Sequence, residues 1–212
     1  MSLVINPRFK SFDFSREHLP TVVADTLDEN KPLKIVEVGV ETGAYLDIYY
    51  PQLESITEKF YLVDMWQYEG NEDFVDKYSG GNYNNELEKG YDRVKRLYGD
   101  NPKVQMCKGS SEDWAEKFED GFFDYIMVDG AHEHEAVMDD IENWWPKLKE
   151  NGVMFGDDFY LEAVSEAVKI SSGNVKSPGY SVNGSTERTW FMSKDGKHNR
   201  FERLIPGQNT LI

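Results

Sequence analysis

Short apolar runs alternate with longer amphipathic stretches along most of this chain. The apolar runs occupy residues 34–39, 59–64, 104–108, 123–129 and 152–156. Between them, residues 85–98 and 134–148 repeat apolar side chains at the spacing of an α-helix. Apolar runs that alternate with helices are typical of a parallel sheet that is covered on both faces. The pattern therefore predicts an α/β fold with a doubly wound sheet.

Both ends of the chain add further elements to this prediction. Residues 189–193 and 201–205 have the composition of two closing strands, and we expect them to form an antiparallel pair. Residues 18–27 have a helical pattern. We expect this helix to pack over the sheet or over the mouth of the site.

The chain is predicted to form one domain, because no repeat or Pro/Gly-rich linker divides its 212 residues. Apolar residues make up 39% of the chain and aromatic residues 14%, which excludes a disordered or fibrous protein. Within the domain 1–212, we expect residues 1–30 to form an N-terminal helical segment or lid. Residues 31–212 then form the core.

The chain is strongly acidic, with a net charge of −16. Such a surface repels phosphate backbones, so we expect no nucleic acid partner. Cys107 is the only cysteine, which argues against a disulfide-forming compartment. No apolar run reaches the roughly 18 residues that a bilayer requires, and the first residues lack a signal-peptide core. We therefore expect a cytoplasmic protein without a membrane partner. The sequence leaves open whether identical subunits assemble into an oligomer.

The first apolar run ends in a turn that contains Glu37, Gly39, Glu41 and Gly43 in the order E-x-G-x-x-x-G. A dinucleotide-binding turn has the order G-x-G-x-x-G, with a second glycine where this chain has Glu41. An acidic side chain at that point repels a pyrophosphate, which disfavours a nicotinamide cofactor. The spacing suits a cofactor with a sulfonium cation and no phosphate. A plain glycine turn is the alternative.

The second and third runs also end in polar residues. Asp64, followed by Met65, ends the second run, and a carboxylate there can accept both ribose hydroxyls of a nucleoside. An ordinary strand-ending or helix-capping Asp is the alternative. Ser110 and Ser111 follow the third run, where short polar side chains and backbone amides can read an adenine edge. Either serine is equally suited to cap a helix.

Carboxylates follow the fourth and fifth runs, at Asp129, Asp157 and Asp158. If these strands are neighbours, about 4.8 Å apart, their terminal carboxylates converge. Three converging carboxylates predict a hard cation, and Mg²⁺ with retained waters is the expected ion. Such an ion activates a hydroxylated acceptor. Alternatively, Asp157 and Asp158 only cap a helix that starts near Leu161, and Asp129 only contacts the cofactor.

These positions together identify a resemblance. The chain from 34 to 167, and 123–159 most closely, resembles the class I S-adenosylmethionine-dependent methyltransferases of the methyltransferase 24 group, which is similar to the macrocin and sugar O-methyltransferases. The resemblance implies a Rossmann-like sheet of seven strands with one antiparallel strand. It implies cofactor contacts from Glu37, Gly39, Gly43, Asp64, Ser110, Ser111 and Asp129. It also supports Asp129, Asp157 and Asp158 as metal ligands.

His132 is the candidate general base, because it follows Asp129 at the expected mouth of the site and an imidazole titrates near neutral pH. Many relatives have the order Asp-Gly-Asp-His here, whereas this chain has Ala131 in place of the second Asp. Either His132 takes the proton or the metal alone activates the acceptor. A His that only bonds the following helix is equally compatible. His134 does not complete a zinc site, because two-residue spacing on a helix points the rings apart.

The leading hypothesis is a metal-assisted O-methyltransferase that uses S-adenosylmethionine and acts on a carbohydrate or another hydroxylated small molecule. Residues 66–84 and 171–188 mix aromatic and amide side chains and are predicted to be loops that recognise the acceptor, with flexible, solvated surface loops as the alternative. Two further readings stay open. One is a metal-independent N- or O-methyltransferase. The other is an inactive cofactor-binding module, which is compatible with Ala131 in place of the acidic residue of many relatives.

Overall fold

The computed structural model of the chain describes residues 19–26, 31–68, 83–182 and 188–196. The strands in these residues are β1 Leu33–Val38, β2 Thr57–Asp64, β3 Val104–Lys108, β4 Phe123–Val128, β5 Leu148–Gly156, β6 Ser181–Val182 and β7 Trp190–Met192. The α-helices are α1 Leu19–Thr26, α2 Leu46–Leu53, α3 Tyr83–Tyr98, α4 Ser111–Ala115, α5 His134–Trp144 and α6 Glu162–Asn174, and a 3₁₀ turn spans Trp145–Lys147.

The strands form one seven-stranded sheet in the order β3-β2-β1-β4-β5-β7-β6. Strands β1 to β5 pair in parallel, and β7 runs antiparallel to both of its neighbours. The predicted Rossmann-like fold with one antiparallel strand is therefore confirmed for the described residues. The chain order reverses between β1 and β4, which is where ligands bind in sheets of this type.

The near-continuous apolar character of the central strands follows from their burial on both faces. Every residue of β4 is buried, and in β1 only Lys34 is partly exposed. Neighbouring side chains in β1 point to opposite faces, so Ile35 joins one core and Val36 the other. Helices α1 and α2 cover the first core, whereas α5 and α6 cover the second.

The end of the predicted helix 134–148 and the start of the fifth strand differ from the sequence prediction. Helix α5 ends at Trp144, the 3₁₀ turn follows, and β5 already begins at Leu148 rather than at residue 152. Pro146 explains the first difference, because a proline lacks the backbone N–H that an α-helix requires. Polar residues at 149–151 hide the start of β5 in the hydrophobic pattern.

The far edge of the sheet also differs from the prediction. Strand β7 matches the predicted strand 189–193, but its outer partner is β6, Ser181–Val182. The expected partner, 201–205, lies outside the described residues. Strand β6 and the last turn of α6 fall within 171–188, so the prediction of a loop over that whole segment was wrong. A two-residue strand is too short to leave a recognisable alternation.

The predicted N-terminal helix is confirmed as α1, and Leu19, Val22 and Val23 pack into the first core. The hydroxyl of Thr26, at its last position, hydrogen-bonds with the Tyr125 hydroxyl from β4. The helix therefore covers the sheet directly. None of the helices within the described ranges has the length and apolar character needed to cross a membrane.

Candidate cofactor and acceptor site

The carboxyl ends of the five parallel strands meet along one edge of the sheet, and the predicted site residues follow those ends. Asp129 continues β4, since its N–H donates to the Val38 carbonyl of β1 at 2.8 Å. Gly39 continues β1 in the same way, with its N–H 2.9 Å from the Val63 carbonyl of β2. The turns after β1, β2 and β4 are therefore connected through the backbone.

The glycines after β1 are required by close packing of the backbone. Gly39 has a φ of +88°, and a Cβ on it would lie 2.1 Å from the carbonyl oxygen of Asp129. Gly43 has a φ of +64°, and a Cβ there would meet Val94 of α3 at 2.4 Å. Only glycine combines this backbone conformation with this proximity. Direct contact of both glycines with a cofactor stays a prediction.

Asp64 holds the glycine turn from the end of β2. Its carboxylate accepts the backbone N–H groups of Val40 and Glu41, both at 2.7 Å, and that of Trp66 at 2.5 Å. The indole N–H of Trp66 donates to the Glu41 carbonyl at 2.8 Å. A carboxylate has about four acceptor positions, so one remains for a further donor such as a ribose hydroxyl. The predicted ribose contact is compatible with this arrangement.

Two other predicted cofactor residues differ greatly in exposure. Glu37, in β1, is only 2% exposed, and its carboxylate accepts a hydrogen bond from the Tyr49 hydroxyl of α2. Met65, just after β2, is 39% exposed. The exposed thioether is available to a ligand above the sheet edge, whereas Glu37 supports that edge from the core side.

Ser110 and Ser111 have different roles in the structure. Ser110 is the N-cap of α4, and its side chain accepts the N–H of Asp113 at 3.1 Å. Ser111 instead points its hydroxyl toward α5, where it bonds the carboxylate of Asp140 and accepts the indole N–H of Trp144 at 2.8 Å. The choice between two capping serines is thereby decided in favour of Ser110.

An acidic cluster with one imidazole lies beside the glycine turn. Asp129, His132 and Asp158 each offer one potential ligand atom, and these atoms all lie within 4.8 Å of one another. The His132 Nε2 atom is 3.0 Å from Asp158 Oδ2. Asp129 is buried, whereas the His132 side chain is 42% exposed. The cluster is therefore open to solvent on the imidazole side.

Asp158 adopts a φ of +58°, which is unusual for a residue with a side chain and turns its carboxylate toward the cluster. Burial by itself would raise the pKa of Asp158. The hydrogen bond and charge of His132, then the Tyr160 hydroxyl and the Arg188 charge, outweigh burial and hold that pKa below its usual value. The carboxylate is therefore ionised at neutral pH and available to a cation.

Asp157 lies next to this cluster and faces a cation of the protein. Its carboxylate is 3.8 Å from the Arg188 guanidinium, which is also 3.7 Å from Asp158. Neither aspartate caps α6, because the N-cap of that helix is Leu161 and it makes no side-chain capping bond. The distances bring together two of the three predicted metal ligands, with His132 rather than Asp157 as the third group.

Two further residues lie beside the cluster: Tyr160, which sequence reasoning missed, and Arg188, which belongs to the predicted recognition segment 171–188. Tyr160 is 57% exposed, and its hydroxyl bonds Asp158. The Arg188 guanidinium lies 5.3 Å from the centre of the Tyr160 ring. Arg188 stands at the end of a segment predicted to bind the acceptor, but the sequence pattern does not indicate that it meets Tyr160. Much of the other predicted recognition segment, 66–84, lies outside the described residues.

The sequence was compared with known proteins. The methyltransferase 24 family, described as a methyltransferase domain, matches residues 36–159. That range includes the turn after β1, Asp64, both serines and the whole acidic cluster. A search of curated proteins found no significant match.

Solved structures share the fold. The O-methyltransferase NovP superposes with a TM-score of 0.63 at 16% identity, over 84% of this chain and 78% of that chain. An S-adenosylhomocysteine-bound methyltransferase from Podospora anserina, PaMTH1, gives 0.58 at 15% identity, over 90% and 82%. A putative caffeoyl-CoA O-methyltransferase from Staphylococcus aureus gives 0.54 at 15% identity, over 86% and 83%. The chain also spans 54% and 59% of two spermidine synthase chains.

At these identities the structural likeness establishes the fold, and the family match establishes the relationship in sequence. The chain therefore belongs to the methyltransferase 24 family and has the class I, S-adenosylmethionine-dependent methyltransferase fold.

Proposed function

We propose that the protein is a metal-assisted O-methyltransferase that uses S-adenosylmethionine and acts on a carbohydrate or another hydroxylated small molecule. The observation that carries this proposal is the convergence of Asp129, His132 and Asp158 beside the cofactor turn. Gly39 packs directly on the Asp129 carbonyl, so the proposed donor site and the proposed acceptor site share a wall.

In this proposal the donor lies across the carboxyl ends of β1, β2 and β4. Asp64 binds the ribose hydroxyls, while Met65 lies at the exposed end of β2. The cofactor contacts are assigned to Glu37, Gly39, Gly43, Asp64, Met65, Ser110, Ser111 and Asp129. A carboxylate-rich edge also favours the positive sulfonium of the donor.

The donor set of the acidic cluster fits a divalent cation. Carboxylate oxygens suit Mg²⁺, and the imidazole of His132 adds a ligand that Mn²⁺ and later transition metals accept more readily. When bound, such an ion lowers the pKa of a coordinated hydroxyl. Asp129 and Asp158 are the ligands supported by both sequence and distance. Asp157 keeps a place in the proposal as a ligand, or as a carboxylate that orients Arg188.

The reaction itself is a displacement at carbon. The acceptor oxygen forms a bond to the methyl carbon while the carbon–sulfur bond breaks, and the electron pair stays on sulfur as S-adenosylhomocysteine leaves. The acceptor must also lose its hydroxyl proton. The protein's contribution is to hold the acceptor in line and to favour its deprotonated form.

A second candidate function is supported by the 3.0 Å contact between His132 and Asp158. In a metal-independent methyltransferase, Asp158 would orient the imidazole and stabilise its protonated form, and His132 would take the acceptor proton directly. This role compensates for Ala131, which stands where many relatives have an acidic residue. The two candidates differ in whether His132 binds a metal or a proton.

The acceptor is proposed to lie against Tyr160 and Arg188. The exposed Tyr160 ring offers a stacking face, and its hydroxyl is already bonded to the cluster through Asp158. Arg188 offers a fork of N–H donors at the same place. An O-methyl acceptor is favoured, because two of the structural neighbours that are methyltransferases are named as O-methyltransferases.

Release of S-adenosylhomocysteine tests the proposal. The purified protein is incubated with S-adenosylmethionine and a panel of sugars, polyols and catechols, with a chelator or with added Mg²⁺ or Mn²⁺. Metal-dependent turnover is expected. Turnover that survives the chelator but disappears in His132→Ala supports the metal-independent candidate. Binding of S-adenosylhomocysteine without turnover on any acceptor supports the inactive module.

A further inference from the structure

A buried carboxyl group lies directly behind the proposed cofactor site. Asp140, on α5, is 8% exposed and bonds the Ser111 hydroxyl. The Trp144 indole N–H can only donate, and it donates to the same hydroxyl at 2.8 Å. The Ser111 hydroxyl therefore directs its own proton to Asp140. The three side chains form one chain of hydrogen bonds from the core to the turn after β3.

These hydrogen bonds involve a turn that the sheet keeps far from the turn after β4. Strands β3 and β4 have β2 and β1 between them, which separates them by about 14 Å. Asp140 bonds Ser111 after β3 through Oδ1, and its Oδ2 lies 3.3 Å from where a Cβ on Gly130 would stand, after β4. One carboxyl group thus bonds the turn after β3 and lies close to the turn after β4, and these two turns flank the space above β1 and β2.

The burial of Asp140 opposes its ionisation. The pKa of Asp140 is raised to about 6, because desolvation and, to a lesser extent, the charge of Asp139 outweigh the lowering effect of the Ser111 hydrogen bond. The other residues on this buried stripe of α5 are Val137, Ile141 and Trp144. An apolar side chain would fill the stripe without this penalty, so packing alone does not account for a carboxyl group here.

Asp124 provides a comparison within the same fold. It is also 8% exposed, but it lies at the opposite end of β4 and accepts the Lys149 ammonium at 2.7 Å and the Lys34 N–H at 2.9 Å. Its burial is compensated by a cation remote from the site. Asp140 instead accepts a hydrogen bond from Ser111, a residue of the proposed site.

We infer that Asp140 is a positioning residue for the cofactor, which fixes Ser111 and with it the turn that forms the adenine side of the pocket. The inference rests on the proposed function, since that function assigns cofactor contacts to Ser110 and Ser111, where the sequence predicts that the adenine edge is read. Asp140 does not touch the cofactor itself. Its effect is on how firmly the turn after β3 is held against the turn after β4.

Calorimetric titration with S-adenosylhomocysteine tests this inference in the full-length protein. Asp140→Ala and Ser111→Ala are each expected to weaken binding about tenfold, as loss of one hydrogen bond to a charged group would. The double variant is expected to bind no more weakly than Ser111→Ala, because Ser111→Ala already removes the contact that Asp140→Ala breaks. Asp140→Asn keeps an acceptor oxygen and is expected to stay within about threefold of the wild type.

Asp124→Ala is the matched control, because it removes an equally buried carboxyl group and should lower the melting temperature without changing the dissociation constant. The inference is overturned if Asp140→Ala binds like Asp124→Ala, or if the two single effects add in the double variant. Should Asp140→Ala not fold, Ser111→Ala and Asp140→Asn decide the matter. A wild type that does not bind S-adenosylhomocysteine would instead contradict the proposed function.

Discussion

At the scale of single residues, aspartates at the strand ends have separable roles. Asp64→Ala removes the acceptor of three backbone N–H groups, so we expect a stability loss of about 2 kcal/mol and binding of S-adenosylhomocysteine weakened by at least about tenfold. Asp158→Ala leaves the cofactor turn intact, so we expect nearly normal binding but turnover reduced by about a hundredfold or more. Calorimetry and a turnover assay measure the two effects. Equal loss of cofactor binding in both variants would contradict this separation.

The raised pKa of Asp140 predicts how the free energy of unfolding changes with pH. Its pKa in the folded protein is about 6, above the ordinary value of 3.8, so the folded state holds a proton that the unfolded chain releases. Its contribution to stability is therefore complete below about pH 4 and is lost as the pH rises through 6. Relative to Asp140→Asn, the wild type should lose about 1.4 kcal/mol between about pH 5 and pH 7.5, as one pH unit is worth about 1.4 kcal/mol.

Urea unfolding of both proteins at these two pH values measures that difference. The comparison with Asp140→Asn cancels the titration of the other acidic residues, which both proteins share. A difference in unfolding free energy that stays constant with pH, or that moves in favour of the wild type, would contradict the raised pKa.

The sequence identified which residues stand at the strand ends, but not what their side chains contact. Asp64 and Asp129 were recognisable because each follows an apolar run. The contact of Ser111 with Asp140 joins residues 29 positions apart and depends on how α4 packs on α5. Likewise, the contact between His132 and Asp158 depends on the conformations of the turns after β4 and β5. Such contacts have no local pattern that a single sequence reveals.

At the scale of elements, segments with an unbroken hydrophobic pattern were predicted well, whereas interrupted or very short segments were not. Strand β3 and helix α3 agree with the prediction within two residues, because each has an unbroken pattern. Helix α2 was not predicted, since Pro51 lies within it and its eight residues include two buried tyrosines. Strand β6 has only two residues and was assigned to a loop. Tertiary packing, rather than local propensity, stabilises these short elements.

The packing of α3 on the cofactor turn gives a testable prediction at this scale. A Cβ on Gly90 would lie 2.5 Å from the Glu41 carbonyl oxygen and 2.9 Å from the Thr42 Cα. Gly90→Ala must therefore push the helix away from the turn, and we expect a loss of about 2 kcal/mol in stability with weaker binding of S-adenosylhomocysteine.

Gly173→Ala, in α6, is the matched control, because no atom lies within 4 Å of the added Cβ. Alanine is the better helix former, so this variant should be more stable than the wild type by up to about 1 kcal/mol, with unchanged binding. Thermal unfolding and calorimetry measure both variants. If Gly90→Ala bound the ligand as tightly as Gly173→Ala, α3 would have no part in holding the turn.

At the scale of the whole molecule, the charge of −16 affects any test of the metal site. Self-repulsion of a strongly charged surface destabilises the folded state, and salt screens it. The screening length falls from about 30 Å at 0.01 M salt to about 8 Å at 0.15 M. A general increase in stability with ionic strength is therefore expected, whether or not a metal binds at Asp129, His132 and Asp158.

A specific site must show an effect beyond screening. Raising NaCl to about 0.15 M should increase the melting temperature of the wild type and of Asp158→Asn by a similar amount. MgCl₂ or MnCl₂ at matched ionic strength should increase that of the wild type further, because an ion that binds only the folded state stabilises it by mass action. In Asp158→Asn this further increase should be absent, since one carboxylate of the cluster is gone. If MgCl₂ or MnCl₂ raised the melting temperature equally in both proteins, the ions would be acting elsewhere on the acidic surface. The result would contradict the metal-assisted mechanism and favour the metal-independent one, in which Asp158 orients His132 as the base.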